Sequence, residues 1–135
     1  MNKRFLGVTE YISHSFNQKK FAMLIYNKKL SVLPITTHLP LKMVSGKLNK
    51  KEIINKIQIV NNFYNEKLNK KANIAVTGLN PHCESVHDYN EDIKLIKPSV
   101  NYLKNKKLMI KGPFPADTIF LKKNRKQFDI IVGMY

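Results

Sequence analysis

Along residues 49–68, apolar side chains recur at spacings of three and four (Ile53, Ile54, Ile57, Val60, Phe63, Tyr64, Leu68), with lysine and asparagine filling the opposite side. This period predicts an amphipathic helix. Asn49, with Glu52 three residues on, supplies a capping-box-like start. Elsewhere the apolar runs are shorter and strand-like. Residues 21–26 and 30–36 read as two strands joined by the polar turn Asn27-Lys28-Lys29, hence a hairpin. Pro34 counts against the second of these, because proline donates no ladder hydrogen bond and prefers sheet edges. Residues 72–77 form a β-branched run that ends at Gly78, the pattern of a buried strand. In residues 91–104, Ile93, Ile96, Val100 and Leu103 keep helical spacing but Pro98 intervenes. Proline fits best in a helix's first turn, so a short turn leading into a helix from about Pro98 is expected. Residues 108–111 and 128–133 read as two more strands, separated by a loop and a single helical turn.

Strand, strand, helix, strand, helix, strand, strand is the order of an α/β layer structure with at least part of its sheet parallel and flanked by helices. No repeat, low-complexity tract or linker divides the 135 residues, so one unit is expected. The longest uninterrupted apolar run, 21–26, is far shorter than the roughly 20 residues of a membrane-spanning helix. Met1-Asn2-Lys3-Arg4 leads into no secretory signal, which predicts a cytoplasmic protein. A single cysteine, Cys83, agrees with a reducing compartment.

The formal net charge of +15 raises the possibility of a nucleic-acid or acidic-membrane partner. Only Arg4 and Arg125 among the 24 basic residues are arginine, however, and the lysines are scattered in short pairs. Lysine lacks the planar fork that arginine uses for bidentate recognition. The joint abundance of Lys, Asn and Ile is better explained by an AT-rich coding bias acting on tolerant surface positions, and neither a nucleic-acid nor a membrane partner is expected.

In open α/β sheets ligands bind beyond the carboxyl ends of the strands, so the residues following each predicted strand are the first candidates. These are Thr36-Thr37-His38-Leu39-Pro40-Leu41, Gly78-Leu79-Asn80-Pro81-His82, the segment from Gly112 to Phe120 that carries Asp117, and Gly133-Met134-Tyr135. In the first three, a metal-competent or acid–base side chain stands beside prolines that stiffen the loop. Two imidazoles and a carboxylate could then converge on a divalent ion. On spacing alone, His38 and His82 each read as a loop or core residue rather than a ligand. His14 and His87 read as structural or solvent-exposed, Cys83 as a thiol without an identifiable activating base, and Asp88, Glu91 and Asp92 as solvated charges at a helix start.

The three loop segments, in this order and at these separations, resemble signatures of the 4-hydroxythreonine-4-phosphate dehydrogenase family of pyridoxal phosphate (vitamin B6) biosynthesis. The similarity runs from about Phe5 to Tyr135. It implies a portion of the two-domain fold shared with isocitrate and isopropylmalate dehydrogenases, working as a homodimer in full-length form. The implied chemistry is NAD-dependent oxidation and decarboxylation of a phosphorylated hydroxy amino acid, 4-phosphohydroxy-L-threonine. On this resemblance His38 and His82 bind a divalent metal (zinc, with magnesium or cobalt as alternatives), Asp117 is a supporting acid–base group, and Thr9 binds substrate.

Three departures qualify the resemblance. Val8 stands where the family has a substrate-binding histidine, and the loop after His82 reads Cys83-Glu84-Ser85-Val86-His87 where the family carries several glycines. The family also continues past the equivalent of Tyr135 into a third histidine ligand, so the chain is expected to be a single fragment of a larger dehydrogenase, lacking N-terminal and C-terminal parts and inactive when isolated. Two alternatives are a non-catalytic descendant that keeps the fold, motivated by Val8 and the altered loop, and a basic nucleic-acid-associated module, motivated by the charge.

Overall fold

The computed structural model describes residues 8–18, 20–83 and 89–135. Four short strands, β1 (Ser31–Pro34), β2 (Ile74–Thr77), β3 (Ile110–Phe114) and β4 (Ile130–Gly133), form one sheet in the order β1-β4-β2-β3, with every neighbouring pair parallel. β2 and β4 lie inside the sheet, and their buried runs Ile-Ala-Val-Thr and Ile-Ile-Val show the continuous apolarity of parallel strands covered on both faces. β1 is an edge strand, which accommodates Pro34.

Helix α1 (Val8–Ser15) precedes β1, and α2 (Leu41–Lys47) and α3 (Lys50–Lys67) carry the chain from β1 to β2. The long helix forms where its periodicity placed it. Asn49 caps it by accepting a 2.9 Å hydrogen bond from the Glu52 amide. Ile53, Ile57, Val60 and Tyr64 turn inward. They pack with Leu33, Ile74, Val76, Ile130 and Val132 of the sheet and with Val100 and Leu103 of α4 (Lys97–Asn105) to make the main core. Each fully buried aliphatic side chain there contributes about 1.5–3 kcal/mol. The opposite face of the sheet carries a smaller cluster, Ala75, Ile131, Phe128 and Ile119, the last from α5 (Ala116–Ile119). A further single-turn helix, α6 (Lys122–Arg125), leads back towards β4.

One local expectation is corrected. Residues 21–26 do not form a strand, and the hairpin reduces to one antiparallel bridge between Ile25 and Val32. β1 spends its pairing on β4, while Ala22 and Leu24 reach the core as side chains packed against it rather than through a sheet ladder. The turn itself is held locally, since Asn27 accepts from the Lys29 amide at 2.9 Å through its side chain and from the Ser31 hydroxyl at 3.2 Å through its carbonyl. The helix expected from about Pro98, with a turn leading into it, is present. A π turn, Asp92–Ile96, runs directly into α4, so Pro98 sits in the first turn of the α-helical part. The short helices α1 and α2 were not expected. α1 leaves Val8, Tyr11 and Ile12 exposed, and α2 buries only Val44.

Candidate functional site

Because all four strands are parallel, their carboxyl ends open on one edge of the sheet and all four candidate loops emerge there. Hydrogen bonds tie these exits together. The Ile35 amide donates to the Gly133 carbonyl at 2.8 Å, and the Thr36 hydroxyl donates to the Met134 carbonyl at 2.8 Å. From below, the Lys56 ammonium on α3 donates to the Ile35 carbonyl at 2.7 Å. On the other side the Gly78 amide donates to the Phe114 carbonyl at 2.9 Å, fastening the β2 exit to β3.

A cleft of about 520 Å³ opens at this edge, with Thr77, Asn80, His82, Asp117, Phe120 and Tyr135 among its walls. His82 and Asp117 therefore share one space, the first on the short 3₁₀ turn Pro81–Cys83 and the second in the first turn of α5. His38 is not among the lining residues. It stands exposed in the loop after β1, two strands from β2 with β4 between them. At about 4.8 Å per strand spacing, the exits that carry His38 and His82 are roughly 10 Å apart and flank the end of β4. Thr9 is half-buried on α1 and also lies outside the cleft lining, and His14 is exposed as expected. His87 and Asp88 lie outside the described residues.

Both candidate ligand histidines adopt left-handed backbone conformations, His38 at φ 57° and His82 at φ 57°, ψ 12°. Such conformations cost about 1–2 kcal/mol per non-glycine residue and concentrate where a side chain must be presented in a set direction. Among the described residues no group of three His, Cys, Asp or Glu side chains is placed to hold a metal ion. The donor set is thus two imidazoles flanking β4, with one carboxylate in the cleft beside His82. Imidazole donors fit zinc or cobalt, whereas magnesium favours oxygen ligands.

Two acidic residues read as solvated charges are instead buried. Asp92 is 1% exposed and Glu91 8% exposed. The Asp92 carboxylate accepts from the Leu79 amide at 2.8 Å, the Asn80 amide at 3.1 Å and the Asn80 side-chain amide at 2.9 Å. Glu91 accepts from the same Asn80 side chain at 2.9 Å and from the Ser45 hydroxyl of α2. Burial pushes the Glu91 carboxyl up, but the donors from Ser45 and Asn80 outweigh it and hold it below the ordinary carboxylate range. The sequence signal that could have revealed this is Asn80, an amide in the loop whose two N–H groups need acceptors, with two adjacent carboxylates following.

A hollow of about 560 Å³ at the opposite edge is bordered by Asn61, Asn65, Asn69, Lys70, Lys106 and Lys107. It lies at the C-terminal ends of α3 and α4, where lysines complement the helix dipoles, and none of the candidate residues reaches it.

Comparison with known proteins joins these features. The family model described as "Pyridoxal phosphate biosynthetic protein PdxA" matches residues 1–135. The 4-hydroxythreonine-4-phosphate dehydrogenase of Sulfurihydrogenibium sp. (strain YO3AOP1) is 40% identical over 134 residues, covering 97% of this chain and 41% of that protein. The D-threonate 4-phosphate dehydrogenase of Pectobacterium atrosepticum is 34% identical over 130 residues, covering 96% of this chain and 40% of that protein. The crystal structure of 4-hydroxythreonine-4-phosphate dehydrogenase from Klebsiella pneumoniae superposes with a TM-score of 0.85 at 32% identity, over 99% of this chain and 42% of that one. The chain therefore spans about two fifths of the length of the relatives it matches. No helix among the described residues is long and apolar enough to cross a membrane. With the family model matched from end to end and the superposition covering almost the whole chain, this protein belongs to the PdxA family of pyridoxal phosphate biosynthetic proteins.

Proposed function

We propose that this chain contributes part of the active site of an NAD- and divalent-metal-dependent dehydrogenase, which oxidises and decarboxylates 4-phosphohydroxy-L-threonine. The observation that carries the reading is the meeting of His82 and Asp117 in one cleft at the carboxyl edge of a parallel sheet, with His38 on the far side of β4. The names of the relatives supply the substrate class.

In this scheme His38 and His82 hold the ion through neutral imidazole nitrogens. Held there, such an ion would supply Lewis-acid stabilisation of negative charge on substrate oxygen. Asp117, at the mouth of α5 and exposed to the cleft, accepts the hydroxyl proton and returns a proton to the product. Thr9 offers a hydroxyl to the substrate. No residue of this chain is assigned to the nicotinamide nucleotide, because its five glycines stand too far apart for a G-x-G-x-x-G turn. The enzyme acts as a homodimer in the cytoplasm.

A second substrate, D-threonate 4-phosphate, is favoured by one observation. Val8, 66% exposed at the start of α1, offers no hydrogen bond where the resemblance calls for a histidine, and a relative named for that substrate is 34% identical. Both compounds are phosphorylated four-carbon hydroxy acids, and they differ in the amino group.

The test is NAD reduction by the full gene product with each substrate, before and after metal chelation. The expected result is metal-dependent turnover with kcat/KM higher for 4-phosphohydroxy-L-threonine, falling about a hundredfold in Asp117→Asn. The reverse preference would establish the second substrate. Metal-loaded enzyme inert towards both would leave the non-catalytic descendant as the correct account.

A further inference from the structure

The turn that bears His82 is fixed by groups that come from elsewhere in the chain. Asp92 lies at the start of the helical run through α4, where the helix dipole favours an anion, and the Asn90 side chain seats it by accepting from the Asp92 amide at 2.9 Å. From there its two oxygens reach back to the turn and take both consecutive backbone amides, Leu79 and Asn80. The approach is so close that a Cβ on Gly78 would lie 2.6 Å from an Asp92 carboxylate oxygen. Glu91 takes the second proton of the Asn80 side-chain amide and links it to Ser45 of α2. Among the described residues neither carboxylate forms an ion pair, so backbone, amide and hydroxyl donors balance two buried acids. Asn90 itself is 3% exposed, and its side-chain nitrogen has no hydrogen-bond partner among the described residues. A turn needed only to connect two elements could be closed by neutral groups at much lower cost, because a buried carboxylate is tolerated only when fully hydrogen-bonded.

We infer that Asp92, supported by Glu91 and Asn80, is a positioning residue that clamps the Gly78–His82 turn and so holds His82 in its left-handed conformation facing the cleft. The inference rests on the reading of His82 as a metal ligand only for its functional consequence, since the clamp itself is a statement about the turn. Asp92→Asn keeps the side chain's shape and replaces one acceptor oxygen by a donor. Asn80→Ala is the milder variant, removing one amide and leaving the two backbone contacts in place.

Hydrogen exchange on the intact chain, read residue by residue, decides the clamp. Asp92→Asn is expected to speed exchange at Leu79 and Asn80 by roughly tenfold to a hundredfold, with the interior amides of β2 and β4 unchanged. Asn80→Ala should give a smaller increase in the same place, and it serves alone if Asp92→Asn does not fold. Unchanged exchange at residues 79–83 in a folded variant would overturn the clamp. Cobalt titration then reads the consequence, with affinity expected to fall about tenfold in Asp92→Asn. If His82→Ala weakens cobalt binding but Asp92→Asn does not, the positioning role is wrong. If His82→Ala leaves binding unchanged, the ligand reading fails, and the exchange result still judges the clamp.

Discussion

Gly112→Ala is expected to destabilise the fold by about 3 kcal/mol or more. Gly112 lies within β3 at φ +138°, a region that L side chains rarely adopt, and a Cβ there would sit 2.4 Å from the Val76 carbonyl oxygen and 3.1 Å from its Cβ. Relief would require moving β2, and Val76 is fully buried and paired with Val132 of β4. The register between β2 and β3 already shifts between Ala75 and Thr77 beside this contact, so the close approach is part of how β3 joins the sheet. Movement of β3 would also disturb the Gly78–Phe114 hydrogen bond and the seat of α5, and with it Asp117. Urea unfolding measures the effect, and a midpoint within about 0.5 kcal/mol of the parent would contradict this account of the strand.

Ile57→Ala should cost about 3–4 kcal/mol, within the usual range for truncating a fully buried isoleucine. Ile57 is 0% exposed at the middle of α3, where the helix meets the sheet and α4. The cavity left behind cannot collapse easily, because β2 and β4 beneath it are held by neighbours on both sides. Ile93→Ala is the contrast. Ile93 has helical spacing with Ile96 and Val100, yet it is 59% exposed on the π turn, and its loss should stay within about 0.5 kcal/mol. Equal losses at the two positions by denaturant unfolding would mean that the packing described here is wrong.

This contrast shows where the sequence could be read and where it could not. α3 was legible because its cap, period and length are all local, and Asn49 does what its position suggests. β2 and β4 were legible as apolar runs bounded by turns, whereas Pro34 counted against β1, which forms as an edge strand where a missing ladder donor is tolerated. Residues 21–26 misled because an apolar run states that side chains will be buried without stating whether the backbone will pair. The π turn escaped because its wide geometry removes the conflict that Pro98 creates in an ordinary helix.

At the site, the loops could be located because in a parallel sheet every strand exit lies on one edge. Their mutual arrangement could not, since it depends on β4 inserting between β1 and β2, a choice made by residues nearly a hundred positions away from β1. The burial of Glu91 and Asp92 was hidden for the same reason. Their partners are backbone amides of a turn more than ten residues earlier and a serine on α2, and without those donors a carboxylate in polar surroundings reads as solvated.

The most direct test of the central claim is a cobalt titration of the chain, following the visible ligand-field absorption of the bound ion, with His38→Ala and His82→Ala beside the parent. Saturable binding at one ion per chain is predicted, weakened about a hundredfold in each variant and unchanged in His14→Ala, whose imidazole is exposed on α1 and is not among the residues lining the cleft. Binding that survives both substitutions intact, or a parent chain that shows no saturable binding, would contradict the assignment of His38 and His82 as the metal-holding pair.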